Sequence, residues 1–166
     1  YLPASRRAYL RVEEFASSVT YRCDKLGREL GAAAILNTDD SLALWAEIRD
    51  AAPLKGLEAL WRVSVPPSAG PSILENLARL NLSGFLDWGG GLVWLGGAAS
   101  TENHDAVTRA AQGAGGVWWL VRGPEPLRAA VDVLPPESPA LAAISQRVRH
   151  SFDPRGILNP LKLRAA

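Results

Sequence analysis

The sequence predicts an α+β domain in which helices cover one face of a ferredoxin-like antiparallel sheet, followed by a C-terminal docking tail. Strand patterns alternate with helical patterns along the 166-residue chain. Two strand patterns, 84–88 and 92–96, are separated only by a short glycine-containing turn, which predicts a hairpin and therefore antiparallel strands. Interleaved strands and helices around a hairpin are typical of a two-layer α+β sandwich.

The first third of the chain is predicted to contain two strands and two helices. Polar and apolar side chains alternate at its start, which is typical of a half-buried strand, and a later short apolar run predicts another. Apolar side chains at helical spacing follow each of these segments. The predicted elements are, in order, strand 9–13, helix 16–31, strand 32–36, helix 41–50 and a loop over 51–57.

The middle of the chain predicts the order strand, helix, hairpin, helix, strand. Proline and glycine clusters separate these segments. Prolines at both ends of residues 124–136 leave that segment without a clear pattern. The predicted elements are strand 58–65, helix 72–80, strands 84–88 and 92–96, helix 101–112 capped by Thr101, strand 117–122, and a helix that begins at Ser138.

Composition is typical of a globular domain that does not bind nucleic acid. The chain is 48% hydrophobic and 21% charged, with a formal net charge of +1, so no polyanionic partner is indicated. No apolar run approaches the roughly 18 residues of a membrane span, and no signal peptide is visible. Cys23 is the only cysteine, which fits a reducing, cytoplasmic compartment, and we expect it in the core. The absence of methionine and the start at Tyr1 suggest a domain cut from a longer protein.

Strand alternation predicts a sheet face that carries charged side chains. In strand 58–65, Trp61 and Val63 share one face and Arg62 lies on the other. A solvated face with paired charges is the common outcome for an antiparallel sheet. The side chains predicted to share the face away from the helices are Arg11, Glu13, Arg62, Ser64 and Asp87.

No other pattern indicates a catalytic residue or a metal ligand. The glycines at 89–91 do not form a dinucleotide fingerprint, because its third glycine would fall on Trp94. His104 and His150 have no cysteine or histidine nearby in the sequence, so zinc is disfavoured and both are expected at the surface. The six tryptophans are expected mostly in the core.

The C-terminal segment 151–160 combines apolar anchors with fixed turns. Its sequence is Ser-Phe-Asp-Pro-Arg-Gly-Ile-Leu-Asn-Pro. Phe152 is a large apolar side chain, the prolines and Gly156 enforce turns, and Ile157 with Leu158 forms an apolar plug. This pattern predicts a tail that docks on a surface. A tail that packs on its own domain is the alternative.

The motif Phe-Asp-Pro-x-x-Ile-Leu-Asn-Pro at 152–160 resembles the C-terminal signature of FAD-linked oxidases of the vanillyl-alcohol-oxidase fold. Leu-Trp-Arg-Val-Ser-Val-Pro at 60–66 and Asp-Trp-Gly-Gly-Gly-Leu-Val-Trp-Leu at 87–95 resemble the FAD-binding accessory subunit of bacterial glycolate oxidase. Residues 10–13 and 18–22 are also similar to that subunit, so the likeness runs along nearly the whole chain. Leu161 departs from the pattern, because the family usually has glycine after Asn-Pro.

The resemblance implies that residues 1–150 form a cap domain on the substrate side, and that residues 151–166 return to an FAD-binding domain absent from this chain. The open sheet face would cover the flavin of FAD. Arg62 and Asn159 would then contact the cofactor, and Arg62 and Arg11 the substrate. The implied reaction is oxidation of a 2-hydroxy acid by hydride transfer to flavin.

The resemblance also implies a multisubunit complex. Its partners would be the chain's own FAD-binding domain, a catalytic flavin subunit and an iron–sulfur subunit, with no nucleic acid and no membrane span. The complex would be cytoplasmic or peripheral to the inner membrane, and the isolated fragment is expected to be inactive. The alternative function is a ferredoxin-like module that binds a small ligand or holds subunits together without flavin.

Overall fold

The chain divides into two units, Tyr1–Lys55 and Gly56–Ala166. A computed structural model describes residues 7–31 and 34–158. The first unit contains helix α1 (Ala16–Leu30), helix α2 (Thr38–Arg49) and a 3₁₀ turn (Ala52–Leu54). Both predicted helices of this unit are therefore present.

The ends of these two helices follow from local chemistry. Gly31 ends α1 in the left-handed region, with φ +62°, and its N–H donates to the carbonyl of Gly27, as is usual for glycine after a helix. Asn37 caps α2, because its side chain accepts a hydrogen bond from the Asp40 N–H at 2.8 Å. That cap starts α2 three residues earlier than the sequence pattern predicts.

The strands predicted in the first unit are not formed by its described residues. Residues 8–13 and 34–36 have neither helical nor strand geometry, and residues 32 and 33 lie outside the described part. Alternating polar and apolar side chains indicate a half-buried segment, but a strand also needs a partner for its backbone hydrogen bonds. The prediction of a strand over 9–13 was therefore wrong.

The second unit has a four-stranded sheet in the order β2-β3-β1-β4, and all three strand pairings are antiparallel. This βαββαβ sequence with the first strand in the centre is the ferredoxin-like arrangement, so the predicted fold class is confirmed. The elements are β1 (Ala59–Ser64), α3 (Gly70–Ala78), β2 (Ser83–Asp87), β3 (Leu92–Gly97), α4 (Thr101–Gly113) and β4 (Val117–Arg122).

The predicted hairpin joins β2 to β3 through a 3₁₀ turn, Trp88–Gly90. Gly89 has φ +63° and Gly90 has φ +100°, values that side chains disfavour. A Cβ on Gly90 would also lie 2.6 Å from the carbonyl oxygen of Pro67. Glycine is therefore required at position 90 by both conformation and space.

Helix α4 begins one residue away from the predicted cap. Ser100, not Thr101, is the N-cap, and its hydroxyl accepts a hydrogen bond from the Asn103 N–H at 3.2 Å. Thr101 is the first helical residue. Both hydroxyl side chains are good caps, so the sequence alone does not distinguish them.

The hydrophobic core lies between the sheet and the helices α3 and α4. Trp61 and Val63 of β1 have no exposed surface, and neither do Val93 and Leu95 of β3. These alternate strand residues belong to one buried cluster with apolar side chains of both helices, among them Ile73, Leu74, Leu77, Val107 and Ala111. The helices therefore cover one face of the sheet, as predicted.

Two further helices follow the sheet. Helix α5 (Glu125–Ala130) occupies the segment in which no clear pattern was found, and its Leu127 is buried in the core. Helix α6 (Pro139–Phe152) begins as predicted, with the Ser138 hydroxyl as its cap. The predicted boundary between residues 150 and 151 falls inside α6.

The tail has its predicted turns, but its anchors are exposed. The Asp153 carboxylate accepts hydrogen bonds from the N–H groups of Ile157, at 3.1 Å, and Leu158, at 2.8 Å. Phe152 is 82% exposed, Ile157 67% and Leu158 66%. None of these three side chains is buried against the described residues of the second unit. Asn159 lies outside the described residues.

Candidate functional site

One row of side chains crosses the sheet on the face opposite α3 and α4. Phe85 on β2 pairs with Trp94 on β3, Trp94 pairs with Arg62 on β1, and Arg62 pairs with Trp119 on β4. Successive strand residues point to opposite faces, and the neighbours of Arg62, Trp61 and Val63, are buried against the helices. Every strand therefore contributes one residue to this row.

Three indole rings surround the Arg62 guanidinium. Its central carbon, Cζ, lies 5.8 Å from the ring centroid of Trp94, 5.5 Å from that of Trp119 and 5.5 Å from that of Trp88. All three distances are within the range of a cation–π contact. We call Trp88, Trp94 and Trp119 the indole cage.

Arg62 is not neutralised by any described carboxylate. Its Nε is buried and has no hydrogen-bond partner within the described ranges, and none of the ion pairs there includes Arg62. Asp87 lies on the same face, but its Oδ1 accepts a hydrogen bond from the Trp88 N–H at 2.7 Å. The cation therefore depends on the indole faces, and no carboxylate of the described ranges would compete with an external anion for it.

The surroundings of the cage are apolar. On the same face, Leu60 is 7% exposed, Phe85 1% and Leu92 3%. The rings of Phe85 and Trp94 stack, with centroids 6.3 Å apart and an interplanar angle of 25°. The face is thus not a solvated array of paired charges, although that is the common outcome for such sheets. An anion bound there would be partly shielded from water, which strengthens its attraction to the guanidinium.

Three of the five residues predicted for this face lie on it. Arg62 and Ser64 alternate with buried residues along β1. Leu92 pairs with Ser64 on one side and with Asp87 on the other, so Asp87 lies on the same face as Ser64 and Arg62. The prediction that Arg62 lies opposite Trp61 and Val63 is confirmed by the burial of those two side chains.

Arg11 and Glu13 are not on the sheet, and their assignment to its face was wrong. Both belong to the first unit and lie in a segment without strand geometry. Arg11 forms an ion pair with Glu13, and its Cζ lies 5.8 Å from the ring centroid of Trp45. The prediction that Arg11 binds substrate assumed that Arg11 shares the sheet face with Arg62, and this assumption was wrong. The predicted cofactor contact of Asn159 falls outside the described residues.

The tryptophans were expected mostly in the core, and this was wrong. Trp61 and Trp118 are buried at 0% and 2% exposure. Trp94 is half-buried, and Trp88 and Trp119 are 65% and 37% exposed. The sequence could have predicted this for Trp94 and Trp119, because each lies between two strand residues that face the core. Their side chains therefore point to the opposite face from those of Val93, Leu95, Trp118 and Leu120.

His104 was expected at the surface, but it is 4% exposed. Its Nδ1 accepts a hydrogen bond from the indole N–H of Trp61 at 3.3 Å, and its ring meets that of Trp118 edge-on, with centroids 5.1 Å apart. Burial lowers the pKa of His104, while the charges of Asp105 and Asp132 partly oppose this. The imidazole therefore has a structural place in the core, whereas His150 is exposed as expected.

The first unit contains a cavity of about 730 Å³ along its two helices. Leu26 and Leu30 of α1 and Leu42 and Trp45 of α2 are among its lining residues. Cys23, expected in the core, is instead half-buried along this cavity. Arg11 in the wall is already paired with Glu13, so the cavity offers a weaker argument for anion binding than the indole cage does.

Neither a metal centre nor a membrane span is found in the described part of the chain. Residues 7–31 and 34–158 contain no group of three or more His, Cys, Asp or Glu side chains that could hold a metal ion. No helix in these ranges combines the length and the apolar character needed to cross a membrane.

Comparison with protein-family models, curated proteins and solved structures finds no match for the chain.

Proposed function

We propose that this chain is the cap portion of the FAD-binding subunit of a glycolate-oxidase-like complex that oxidises 2-hydroxy acids. The sheet face with the indole cage would be turned toward the flavin of an FAD-binding domain in the same protein. A catalytic flavin subunit and an iron–sulfur subunit would complete the complex. The observation that carries the proposal is the position of Arg62, a cation without a described anionic partner at the centre of an aromatic sheet face.

The described residues fit the ring of a flavin better than its pyrophosphate. Indole faces suit a planar ring system, and a guanidinium suits an anionic oxygen at its edge. The glycines at 89–91 belong to the turn between β2 and β3, and Gly90 packs against Pro67. They do not precede a helix, as a phosphate-binding loop does. Tight binding of the cofactor would therefore depend on the separate FAD-binding domain.

In this proposal the flavin supplies the hydride acceptor, and the chain's own residues bind and orient. Arg62 would hold a carboxylate of the hydroxy acid or an anionic oxygen of the cofactor, through two parallel hydrogen bonds that fix its orientation. The indole cage would keep water away from that ion pair. The described residues offer no proton-transfer group beside Arg62 that we would assign as a catalytic residue.

The experiment compares Arg62 variants in the full flavin-containing protein. Arg62→Ala should weaken flavin retention or hydroxy-acid turnover about tenfold to a hundredfold, since a hydrogen bond to a charged group contributes about 1.5–3 kcal/mol. Arg62→Lys keeps the charge but loses the planar fork, and should recover only part of the loss. Arg49→Ala, at an exposed arginine of α2, is the matched control. Wild-type flavin content and turnover in Arg62→Ala would refute the proposal.

The second candidate is a flavin-free module for subunit assembly, and helix α6 favours it. Leu141, Ile144, Val148 and Phe152 recur at helical spacing along α6 and are 52%, 50%, 52% and 82% exposed. Such an apolar stripe is typical of a helix that packs against another protein. The two candidates differ in one measurement, the flavin absorbance of the purified full-length protein. Its absence together with stable subunit association would favour the assembly module.

A further inference from the structure

The three walls of the indole cage are supported unequally. Trp94 and Trp119 lie in β3 and β4, directly opposite Arg62 on its two neighbouring strands. Their backbones are therefore fixed by the hydrogen bonds of the central sheet. Trp88 lies in the three-residue turn between β2 and β3. It is also the most exposed of the three rings, at 65%.

The backbone around Trp88 is the strained part of the site. Trp88 has φ +50°, a left-handed conformation that is costly for a residue with a side chain. The next residue, Gly89, has φ +63°, and a Cβ there would meet nothing within 4 Å. The hydrogen bond from the Trp88 N–H to Asp87 Oδ1 holds the ring's backbone in place. Trp88 is thus the wall that can move without disturbing the sheet.

The Arg62 guanidinium has a donor that its described neighbours do not satisfy. Its Nε is buried without a hydrogen-bond partner among the described residues, and a buried unpaired donor is uncommon in a native protein and calls for an explanation, such as a bound water or ion. A carboxylate bound side-on would accept one hydrogen bond from Nε and one from a terminal nitrogen. Nε is covered, and Trp88 is the one wall of the cage outside the strands, so a displacement of its ring is the change that would open this side of the guanidinium without a change in the sheet.

We propose that the Trp88 indole is a movable cover over an anion site at Arg62, and that the site takes a planar carboxylate when this indole swings away. The fixed rings of Trp94 and Trp119 then remain as aromatic walls, which favours a flat ligand. Arg62 is the anion-binding residue in the proposed function and in this inference. The inference therefore rests on the proposed function, and it adds how the anion reaches Arg62. Its test requires no flavin, so it can fail while the proposed function stands.

The test measures access to Arg62 in this chain by its rate of reaction with phenylglyoxal, followed by peptide mapping. Arg149 on α6 is exposed and serves as the internal reference. In the wild type, Arg62 should react about tenfold more slowly than Arg149. Trp88→Ala should raise the rate of the Arg62 reaction about tenfold, which corresponds to a cation–π contact of a strength between that of exposed and desolvated sites. Trp88→Phe should fall between, because it keeps an aromatic face.

Benzoate tests the anion site itself. In Trp88→Ala, sodium benzoate should slow the reaction at Arg62 and leave Arg149 unaffected, whereas neutral benzamide should protect neither. Equal rates at Arg62 and Arg149 in the wild type, or an unchanged Arg62 rate in Trp88→Ala, would overturn the cover. A lack of benzoate protection in the opened variant would overturn the anion site.

A folding control keeps the test decisive. Trp88→Gly removes the same ring and also relieves the positive φ, so it should be at least as resistant to urea as the wild type. If Trp88→Ala loses stability, the rate is measured in Trp88→Gly instead. A slow Arg62 reaction in a folded Trp88→Gly protein would then contradict the proposal.

Discussion

Trp61 and His104 are joined by a buried hydrogen bond, in which the indole N–H donates to Nδ1 of the imidazole at 3.3 Å. This bond requires Nδ1 to be unprotonated, so it exists only while the imidazole is neutral. The two residues come from β1 and α4, and the bond therefore connects the central strand to the helix layer. Its integrity depends on pH, although the residues around it are mostly apolar.

The first prediction concerns stability against pH. Burial lowers the pKa of His104 below its ordinary value of 6.5, against the opposing charges of Asp105 and Asp132. The stabilising contribution is thus fully present above that value and is lost as the pH falls toward the lowered pKa of the folded state. The free energy of unfolding should fall by at most about 1.4 kcal/mol per pH unit from this group.

Urea unfolding at a series of pH values measures this effect. His104→Phe should reduce the acid loss of stability, because it removes the titrating group from the core. His150→Phe, at an exposed position of α6, should leave the pH dependence as in the wild type. An identical pH dependence in His104→Phe would mean that other groups cause the acid loss.

The second prediction compares two leucines. Leu95 on β3 has no exposed surface, whereas Leu141 on α6 is 52% exposed. Leu95→Ala should cost about 2–5 kcal/mol of unfolding free energy through lost burial and a cavity. Leu141→Ala should change it by no more than about 0.5 kcal/mol. Urea midpoints of the two variants measure these changes. A large loss of stability in Leu141→Ala would show that the apolar stripe of α6 is covered.

The third prediction concerns the turn after α6. The backbone hydrogen bond from Leu158 lowers the pKa of Asp153; desolvation opposes it, and the backbone hydrogen bonds from Ile157 and Gly156 lower the pKa further. Asp153→Ala should therefore speed hydrogen exchange at the Ile157 and Leu158 amides. The turn should also loosen as the pH falls below the ordinary aspartate value of 3.8, because its contribution is present only while Asp153 is ionised.

Hydrogen exchange resolved by residue provides the measurement for Asp153. Asp50→Ala, in the first unit, is the control and should leave both amides unchanged. Unaltered exchange in Asp153→Ala would imply that something other than this carboxylate holds the turn.

The fourth prediction is that the isolated chain binds FAD weakly. The glycine-rich segment at 89–91 is committed to a hairpin turn, and no helix begins directly after it. The pyrophosphate thus lacks the backbone N–H cradle that usually holds it. Titration of the purified chain, followed by flavin fluorescence, should give no submicromolar binding. Tight binding would place a complete FAD site within these residues.

Most helices and strands of the second unit were predicted from its sequence, because each predicted strand there pairs with a neighbouring strand. The hairpin and the alternation in β1 predicted both the antiparallel sheet and the side of Arg62. The same alternation in residues 9–13 failed, since a periodic pattern does not provide a neighbouring strand. Periodicity is thus a reliable guide to which face a residue takes once a strand exists, and a weaker guide to whether it exists.

The candidate site was only half predictable. Trp94 and Trp119 could have been placed beside Arg62 by parity alone, but their apolar character suggested the core instead. His104 likewise lies at helical spacing from Val107 and Ala111, both buried, and that spacing predicts a buried position. The position of Trp88 could not be predicted, because it depends on a positive φ that the sequence does not favour at a tryptophan.

The central place of β1 has a consequence for how the chain acquires its structure during synthesis. Among the described strands β1 is made first, whereas its two neighbours are made later, β3 as the second strand of the hairpin and β4 after α4. One edge of β1 therefore remains unpaired until β3 has emerged, and the other remains unpaired until Val117–Arg122 has emerged. Such distant pairings slow folding and leave strand edges open to other chains. A nascent or truncated chain that ends before β4 would thus present the apolar β1 as an aggregation-prone edge.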